Sequence, residues 1–238
     1  WISEQADNFK VIVHVGTTSV QQSCELASHA QEKGAYATST MGPLFLTPDT
    51  IDQLLGFCEK IASSAPDIPF YYYHIPSVSR INLPMFNFLE EGRERIPNLT
   101  GIKYSHNNLP DLLKCVEMEN GRWDILFGQD EILLAALTLG VKGAVGSTYN
   151  YMAHLYHELI NDFENGDLES ARKRQKASVD LVNILNKFGG AIVGGKTLMR
   201  LIGLNCGPGR PPLEKFDFNV YDKFILEIEK TGIFPKLI

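Results

Sequence analysis

The sequence predicts an α/β protein in which parallel strands are joined by crossover helices. Short apolar runs with strand character alternate with longer stretches of helical period as far as Tyr149, and such alternation is typical of parallel sheets. The runs are almost continuously apolar, as expected where helices cover both faces of a sheet. No GxGxxG motif follows the candidate strands, which disfavours dinucleotide binding. A doubly wound sheet and a (β/α)8 barrel both remain compatible with this pattern.

The expected elements fall into a strand–helix region and a helical tail. Strands are predicted at residues 10–15, 37–41, 70–75, 101–105, 124–128 and 143–148. Helices are predicted between them at about 19–33, 48–64, 83–95, 109–119 and 130–140, and in the tail at about 151–164, 167–188, 196–203 and 219–231. The second helix is expected to begin with Thr47 as its cap and Pro48 in its first turn.

Charge and composition exclude several classes of function. The 238 residues include 22 Lys and Arg against 28 Asp and Glu, a net charge of −6, and no basic run that would track nucleic-acid phosphates. No apolar stretch approaches the roughly 18 residues of a membrane span, and the first residues lack signal-peptide character. The cysteines form no CxxC pair, so neither a zinc site nor a disulfide framework is indicated. We therefore expect a soluble, cytoplasmic protein that binds neither nucleic acid nor membrane.

Two motifs have ordinary structural interpretations. Residues 190–197, GAIVGGKT, satisfy the phosphate-loop pattern GxxxxGK[ST]. That loop binds phosphate where a strand precedes it, whereas residues 179–188 have the pattern of a helix end. A glycine-rich turn between two helices is the better interpretation. His154 and His157 share one helix face but lack further metal ligands, so no metal site is expected.

A lysine inside an apolar strand is the most informative residue. Lys103 lies in the predicted strand 101–105, where burying an ammonium is costly unless it loses its proton or finds a partner. One interpretation is a lysine near a strand end that reaches solvent. The other is a Schiff-base lysine, because desolvation leaves a nucleophilic amine. In barrels of this type the chemistry lies at the carboxyl ends of the strands.

Other polar residues follow strands in the same way. Tyr71, Tyr72 and Tyr73 are consecutive, and alternation sends Tyr72 to the opposite face from its two neighbours. The segments 128–131, GQDE, and 146–150, GSTYN, offer groups suited to binding hydroxyls. A helix start is the alternative interpretation of the first segment, with Asp130 as N-cap and Glu131 as a first-turn acid.

Four segments together resemble a known family. The segments FYYYHIP at 70–76, GIKYS at 101–105, LFGQDE at 126–131 and VGSTYN at 145–150 resemble the N-acetylneuraminate lyases, especially the animal form. These belong to the superfamily of pyruvate-dependent class I aldolases that includes dihydrodipicolinate synthase. The resemblance implies a TIM barrel with a C-terminal helical extension. It also implies cleavage of sialic acid to N-acetylmannosamine and pyruvate without metal or organic cofactor, by a homotetramer.

The resemblance also implies roles for individual residues. Lys103 would form the Schiff base with the C2 ketone of the substrate, and Tyr73 would move the proton of the C4 hydroxyl. The synthase branch is disfavoured, because Tyr104 stands where it typically has Glu. The residues that would hold the sugar hydroxyls and glycerol tail are Ser105, Gly128, Asp130, Glu131 and Ser147.

One family motif is not found in the sequence. The GTTGE-like loop that binds the substrate carboxylate is absent, since Gly16-Thr17-Thr18 continues with Ser19. The six predicted strands would then be strands three to eight, with the first two βα units lacking. We expect residues 1–165 to form a partial barrel and 166–238 a helical extension. Alternatives are another pyruvate-dependent class I aldolase, acting on 2-keto-3-deoxy sugar acids or resembling dihydrodipicolinate synthase, and an inactive truncated isoform that associates with full-length subunits.

Overall fold

The protein divides into two compact units. The computed structural model describes residues 2–4 and 9–234. The first unit comprises residues up to Gly128 together with Leu139–Gly143, and the second comprises Gln129–Thr138 and the chain from Ala144 onward. The division expected between residues 165 and 166 concerns a different boundary, that between the barrel portion and the helical extension. It stays a prediction.

The strands form one sheet in which spatial order follows chain order, β1-β2-β3-β4-β5-β6. Neighbouring strands from β1 to β5 pair in parallel, which confirms the parallel sheet. A doubly wound sheet reverses its order at a switch point, and this sheet does not, so the order is that of a TIM barrel. The strands are β1 (Ile12–His14), β2 (Ala37–Thr40), β3 (Phe70–His74), β4 (Leu99–Tyr104), β5 (Asp124–Phe127) and β6 (Gly143–Ala144).

Helices follow the strands of the first unit. They are α1 (Val20–Glu32), α2 (Ile51–Ala62), α3 (Pro76–Ser79), α4 (Met85–Arg95) and α5 (Leu109–Glu117). The predicted start of the second helix is wrong. The Thr50 hydroxyl accepts a hydrogen bond from Gln53 N at 3.2 Å and caps the helix there, so Pro48 lies outside it. The short helix α3, which begins at Pro76, was not predicted.

The core of the first unit forms where the helices cover the sheet. Leu54 and Leu55 of α2, Phe88 of α4 and Phe70 of β3 are completely buried. Each such side chain contributes about 1.5–3 kcal/mol through burial. Tyr72 packs against Phe88 with ring centroids 4.8 Å apart, so this face of β3 belongs to the core. The opposite face remains for the site.

The second unit is helical. A 3₁₀ turn at Asp130–Ile132 precedes its helices, which are α6 (Leu133–Thr138), α7 (Tyr149–Glu164), α8 (Leu168–Lys187), α9 (Gly190–Leu198) and α10 (Tyr221–Glu229). The predicted helix 130–140 is therefore irregular in its first turn. The predicted strand 143–148 is confined to two residues, because the following segment turns into α7.

The GAIVGGKT segment is helical rather than a turn, so that prediction is wrong. Gly189 and Gly190 have φ values of 96° and 80°, and these left-handed residues suffice to turn the chain from α8 into α9. Lys196 donates hydrogen bonds to the carbonyl oxygens of Cys206 and Pro208 at 3.1 and 3.0 Å. Its ammonium therefore joins α9 to the segment that follows, and no strand precedes the motif as a phosphate loop requires.

Among residues 2–4 and 9–234, no helix combines the length and the apolar character needed to cross a bilayer.

Candidate active site

Lys103 and Tyr73 face each other on neighbouring strands of the first unit. They are register partners in the pairing of β3 with β4. The Lys103 Nζ lies 4.0 Å from the centroid of the Tyr73 ring, a separation typical of a cation–π contact. Both residues are half-buried, and no carboxylate within the described ranges forms an ion pair with Lys103. The ammonium of Lys103 therefore contacts an aromatic ring instead of pairing with a surface carboxylate.

The other two tyrosines of β3 have structural roles. Tyr72 is completely buried against the core, as alternation predicts. The Tyr71 hydroxyl donates a hydrogen bond to Asp124 Oδ2 at 2.8 Å. Burial, followed by the hydrogen bond to Asp124, raises the pKa of Tyr71 far above its usual range. Of the three, Tyr73 is the phenol beside Lys103.

Gly128 and Ser105 complete this group. A Cβ atom at Gly128 would lie 2.0 Å from Ser105 Oγ and 3.2 Å from Lys103 Cε. A side chain there would displace the Ser105 hydroxyl and crowd the Lys103 side chain, so the position after β5 favours glycine. Ser105 is 6% exposed, and its hydroxyl has no hydrogen-bond partner among the described residues. A buried, unpaired hydroxyl beside an amine is available to a bound molecule.

His14 also belongs to this group, and the sequence analysis missed it. Its ring stands edge-on to Tyr73, with centroids 6.2 Å apart and planes at 87°. Its Nε2 accepts a hydrogen bond from Met41 N at 3.2 Å. Although His14 is exposed, partial desolvation by surrounding protein atoms, followed by the positive charge of Lys103, lowers the pKa of His14. Its place at the end of a predicted strand was the signal that could have found it.

A pair of histidines, His74 and His106, directly follows Tyr73 and Ser105 in the sequence. His74 Nε2 is 3.4 Å from His106 Nδ1, and His74 is 1% exposed. Burial, followed by the neighbouring His106, lowers the pKa of His74 to about 3. A contact between two histidine rings therefore joins the ends of β3 and β4 directly after Tyr73 and Ser105.

Asp130, in the second unit, anchors the loop that follows β6. Its carboxylate accepts a hydrogen bond from Thr148 N at 2.9 Å and another from the Thr148 hydroxyl. A Cβ at Gly146 would lie 1.6 Å from Asp130 Oδ1, so the loop passes very close to the carboxylate. The interpretation of Asp130 as a helix N-cap is wrong, because Gln129 holds that position and the carboxylate turns toward Thr148.

Several polar groups of the second unit surround this anchor. Ser147 is exposed and Glu131 is half-buried. The charges of Asp130 and Glu131 add to burial in raising the pKa values of Tyr149 and Tyr151. The buried polar atoms of this unit without a hydrogen-bond partner among the described residues are Gln129 Oε1, Tyr149 Oη and Tyr151 Oη.

The expected site residues thus form two groups, one in each unit. Lys103, Tyr73, Ser105 and Gly128 converge in the first unit. Asp130, Glu131 and Ser147 lie on the 3₁₀ turn and the loop of the second unit. Within residues 2–4 and 9–234, no three His, Cys, Asp or Glu side chains form a cluster that would ligate a metal ion.

Nearly the whole chain matches the model of one protein family. The model described as the dihydrodipicolinate synthetase family matches residues 2–230. The chain belongs to this family. Membership in the dihydrodipicolinate synthetase family confirms the resemblance inferred from the four sequence segments, and it agrees with the parallel strand order of the sheet.

Three relatives illustrate the similarity within the dihydrodipicolinate synthetase family. N-acetylneuraminate lyase from Gallus gallus is 41% identical over 205 residues, covering 85% of this chain and 67% of that protein. N-acetylneuraminate lyase A from Xenopus laevis is 40% identical over 222 residues, covering 91% and 72%. The solved Proteus mirabilis N-acetylneuraminate lyase superposes with a TM-score of 0.94 at 34% identity, covering 98% of this chain and 79% of that one.

Proposed function

We propose that this protein is a carbon–carbon lyase that cleaves N-acetylneuraminate to N-acetylmannosamine and pyruvate by a Schiff-base retro-aldol reaction. The observation that carries the proposal is the Lys103 ammonium lying 4.0 Å above the Tyr73 ring. This contact supplies an amine and a phenol at one place, the two groups that the reaction needs. The named relatives at 40–41% identity support the choice of substrate.

Lys103 acts as the nucleophile. Its deprotonated amine adds to the C2 ketone, and loss of water gives an iminium. When the C3–C4 bond breaks, its electron pair moves toward the iminium nitrogen and an enamine forms. Protonation at C3 and addition of water then release pyruvate and restore the amine. Because the iminium is the electron sink, we propose that the reaction uses no metal or organic cofactor.

Tyr73 acts as the acid and base. As C3–C4 breaks, the C4 hydroxyl loses its proton and becomes the aldehyde of N-acetylmannosamine, so a basic group must stand at that oxygen. A phenol has an ordinary pKa of about 10, and the substrate carboxylate assists the transfer. The same phenol afterwards supplies the proton that C3 receives.

Five further residues hold the sugar in this proposal. Ser105 offers an unpaired buried hydroxyl, and Gly128 leaves space beside the amine. Glu131 and Ser147 accept and donate hydrogen bonds to the hydroxyls and glycerol tail. Asp130 also binds the sugar in this proposal. Its carboxylate accepts the hydrogen bond from Thr148 N and so holds the loop that contains Ser147.

The proposal extends to the rest of the fold and to the assembly. We take the six strands as strands three to eight of the eight-stranded family barrel, residues 1–165 as its barrel portion, and residues 166–238 as the helical extension. We also propose a cytoplasmic homotetramer, as the family resemblance implies. Gel filtration with light scattering measures the mass of the assembly.

A synthase-like reaction is less well supported. The residue after the nucleophile is Tyr104, whose hydroxyl donates to Asp111 Oδ2 at 3.0 Å. Tyr104 is completely buried, and burial followed by the charge of Asp111 raises its pKa far above the usual range. This position therefore offers no acid to a bound substrate.

Product release from N-acetylneuraminate tests the proposal. We expect the chain to release pyruvate and N-acetylmannosamine in equal amounts. Lys103→Arg keeps the positive charge but cannot form an iminium, so it should abolish release, whereas the matched change Lys114→Arg on α5 should not. Faster cleavage of 2-keto-3-deoxy sugar acids than of N-acetylneuraminate would favour the alternative aldolase.

A further inference from the structure

We propose that His14 is a positioning residue for the reaction at Lys103. As a neutral imidazole it holds the Tyr73 ring against the lysine and keeps a second positive charge away from the Schiff base. The inference rests on the proposed lyase function and assigns a role to a residue outside the Lys103–Tyr73 pair. Three features support it: how the ring is held, which ring nitrogen accepts the hydrogen bond from Met41 N, and which charges surround the ring.

The His14 ring is held by the ends of two strands. Met41 N, after β2, donates to Nε2 at 3.2 Å. A Cβ at Gly16 would lie 2.7 Å from His14 Cε1 and 2.8 Å from Thr40 Oγ1. The chain after β1 therefore passes close to the Cε1 edge of the ring and limits its movement on that side, while the rest of the side chain is exposed.

The contact with Met41 also fixes the tautomer. A backbone amide donates and cannot accept, so His14 Nε2 must be unprotonated when it receives this bond. The ring proton of the neutral form is then on Nδ1. Protonation of Nε2 would place two N–H groups against each other and break this side-chain contact, while the backbone pairing of β1 with β2 would remain.

The surrounding charges favour the same neutral form. Lys103 is the nearby cation, and its charge contributes to the lowered pKa of His14. A cavity of about 390 Å³ borders His14 and is also lined by His29 and Lys33 of α1. None of the described residues that line this cavity is a carboxylate. Among the described residues, a proton on His14 would thus meet the Lys103 and Lys33 side chains without a carboxylate in the cavity lining.

The charge state of His14 affects the formation of the Schiff base at Lys103. The iminium carries a fixed positive charge, which a protonated His14 would oppose. The Tyr73 ring has the Lys103 ammonium 4.0 Å from its centroid and the His14 ring at 87° to its plane. The neutral imidazole therefore restrains the phenol ring without repelling the cation that the ring covers.

The pH dependence of turnover tests the inference. We expect kcat/KM for N-acetylneuraminate to fall on the acid side with a midpoint below 6.5, the ordinary His pKa, because His14 takes up its proton there. His14→Gln can still accept from Met41 N but cannot be protonated, so its profile should lack this acid limb. His14→Phe loses the acceptor, and its kcat should fall about tenfold with KM within about twofold. His29→Gln, an exposed residue bordering the same cavity, is the matched control and should keep the wild-type profile.

Nitrogen NMR of the histidine rings, together with turnover, distinguishes a failure of the proposed role of His14 from a failure of the proposed lyase function. We expect His14 to be the Nδ1–H tautomer at neutral pH, with a titration midpoint that rises in Lys103→Met. An active protein whose acid limb persists in His14→Gln, or whose His14 carries its proton on Nε2, overturns the inference and leaves the lyase proposal intact. An unsubstituted chain that releases no pyruvate overturns the lyase proposal itself, and the inference with it.

Discussion

The Lys103 ammonium lies 4.0 Å from the ring centroid of Tyr73, its register partner on the neighbouring strand. Parallel pairing places two side chains on one face of the sheet when their residues are in register. The contact therefore follows from a backbone feature, the alignment of β3 with β4. Gly128, Ser105 and His14 then define the space around this pair.

Removing the phenol oxygen of Tyr73 should separate cleavage from Schiff-base formation. In Tyr73→Phe the ring still packs under Lys103, but the C4 proton has no acceptor, so we expect kcat to fall about 10²–10⁴-fold. Trapping of pyruvate by borohydride should persist. Tyr71→Phe on the same strand should retain kcat. A Tyr73→Phe protein with unchanged turnover would remove Tyr73 from the mechanism.

Gly128→Ala should lower both the stability of the first unit and the activity of the Lys103 amine. The added methyl would lie 2.0 Å from Ser105 Oγ, and such overpacking costs about 1–3 kcal/mol of the free energy of unfolding. Displacement of Lys103 should lower kcat about 100-fold. Gly56→Ala, in the interior of α2 with its nearest contact at 3.7 Å, should instead stabilise by about 0.5–1 kcal/mol. Urea unfolding measures the stability of the two variants, and turnover measures their kcat. If Gly128→Ala were as stable and as active as Gly56→Ala, the packing at Gly128 would not have the effect described.

Asp130→Ala should destabilise the loop of the second unit. It leaves Thr148 N buried without its acceptor and the Thr148 hydroxyl with Tyr156 Oη as its remaining partner, at a cost of about 1–3 kcal/mol. Asp130→Asn retains an acceptor oxygen and should lose less than Asp130→Ala. Urea midpoints measure the difference. If both variants unfold like the unsubstituted protein, Asp130 does not anchor this loop.

His74 should make stability depend on acid pH. The folded protein keeps His74 neutral to about pH 3, whereas the unfolded chain takes up a proton near the ordinary value of 6.5. Between these values the unfolded state binds more protons, so the free energy of unfolding falls as the pH falls. The steepest contribution is about 1.4 kcal/mol per pH unit.

Variants at two histidines isolate that contribution. His74→Asn should flatten the pH dependence of urea unfolding between pH 6.5 and 3. His157→Asn, at an exposed position of α7, should keep the original slope. A His74→Asn slope identical to the original would show that His74 charges as freely in the folded protein as in the unfolded chain.

The sequence was sufficient to predict the sheet and to select most of the candidate site residues of the first unit. Apolar strand runs identified all six strands, and the placement of Lys103 within one of them indicated an unusual amine. The pairing of Tyr73 with Lys103 required the register between β3 and β4, which strand periodicity alone does not determine.

The sequence failed where tertiary packing overrides local propensity. Glycines made GAIVGGKT resemble a turn, yet α9 is helical because neighbouring helices occupy the space of the missing side chains. A Cβ at Gly194 would lie 3.1 Å from Leu185 Cδ2, and one at Gly195 would lie 2.8 Å from Tyr151 Cε1. His14 was missed because its significance arises from Met41 and Tyr73, which are distant in sequence.

Borohydride trapping with pyruvate tests the central claim most directly, because it detects the covalent intermediate independently of sugar recognition. After reduction and peptide mass mapping, we predict one reduced pyruvate adduct, located on Lys103 and absent from Lys103→Arg. An unmodified Lys103 in the presence of saturating pyruvate, or an adduct on another lysine, would contradict the account.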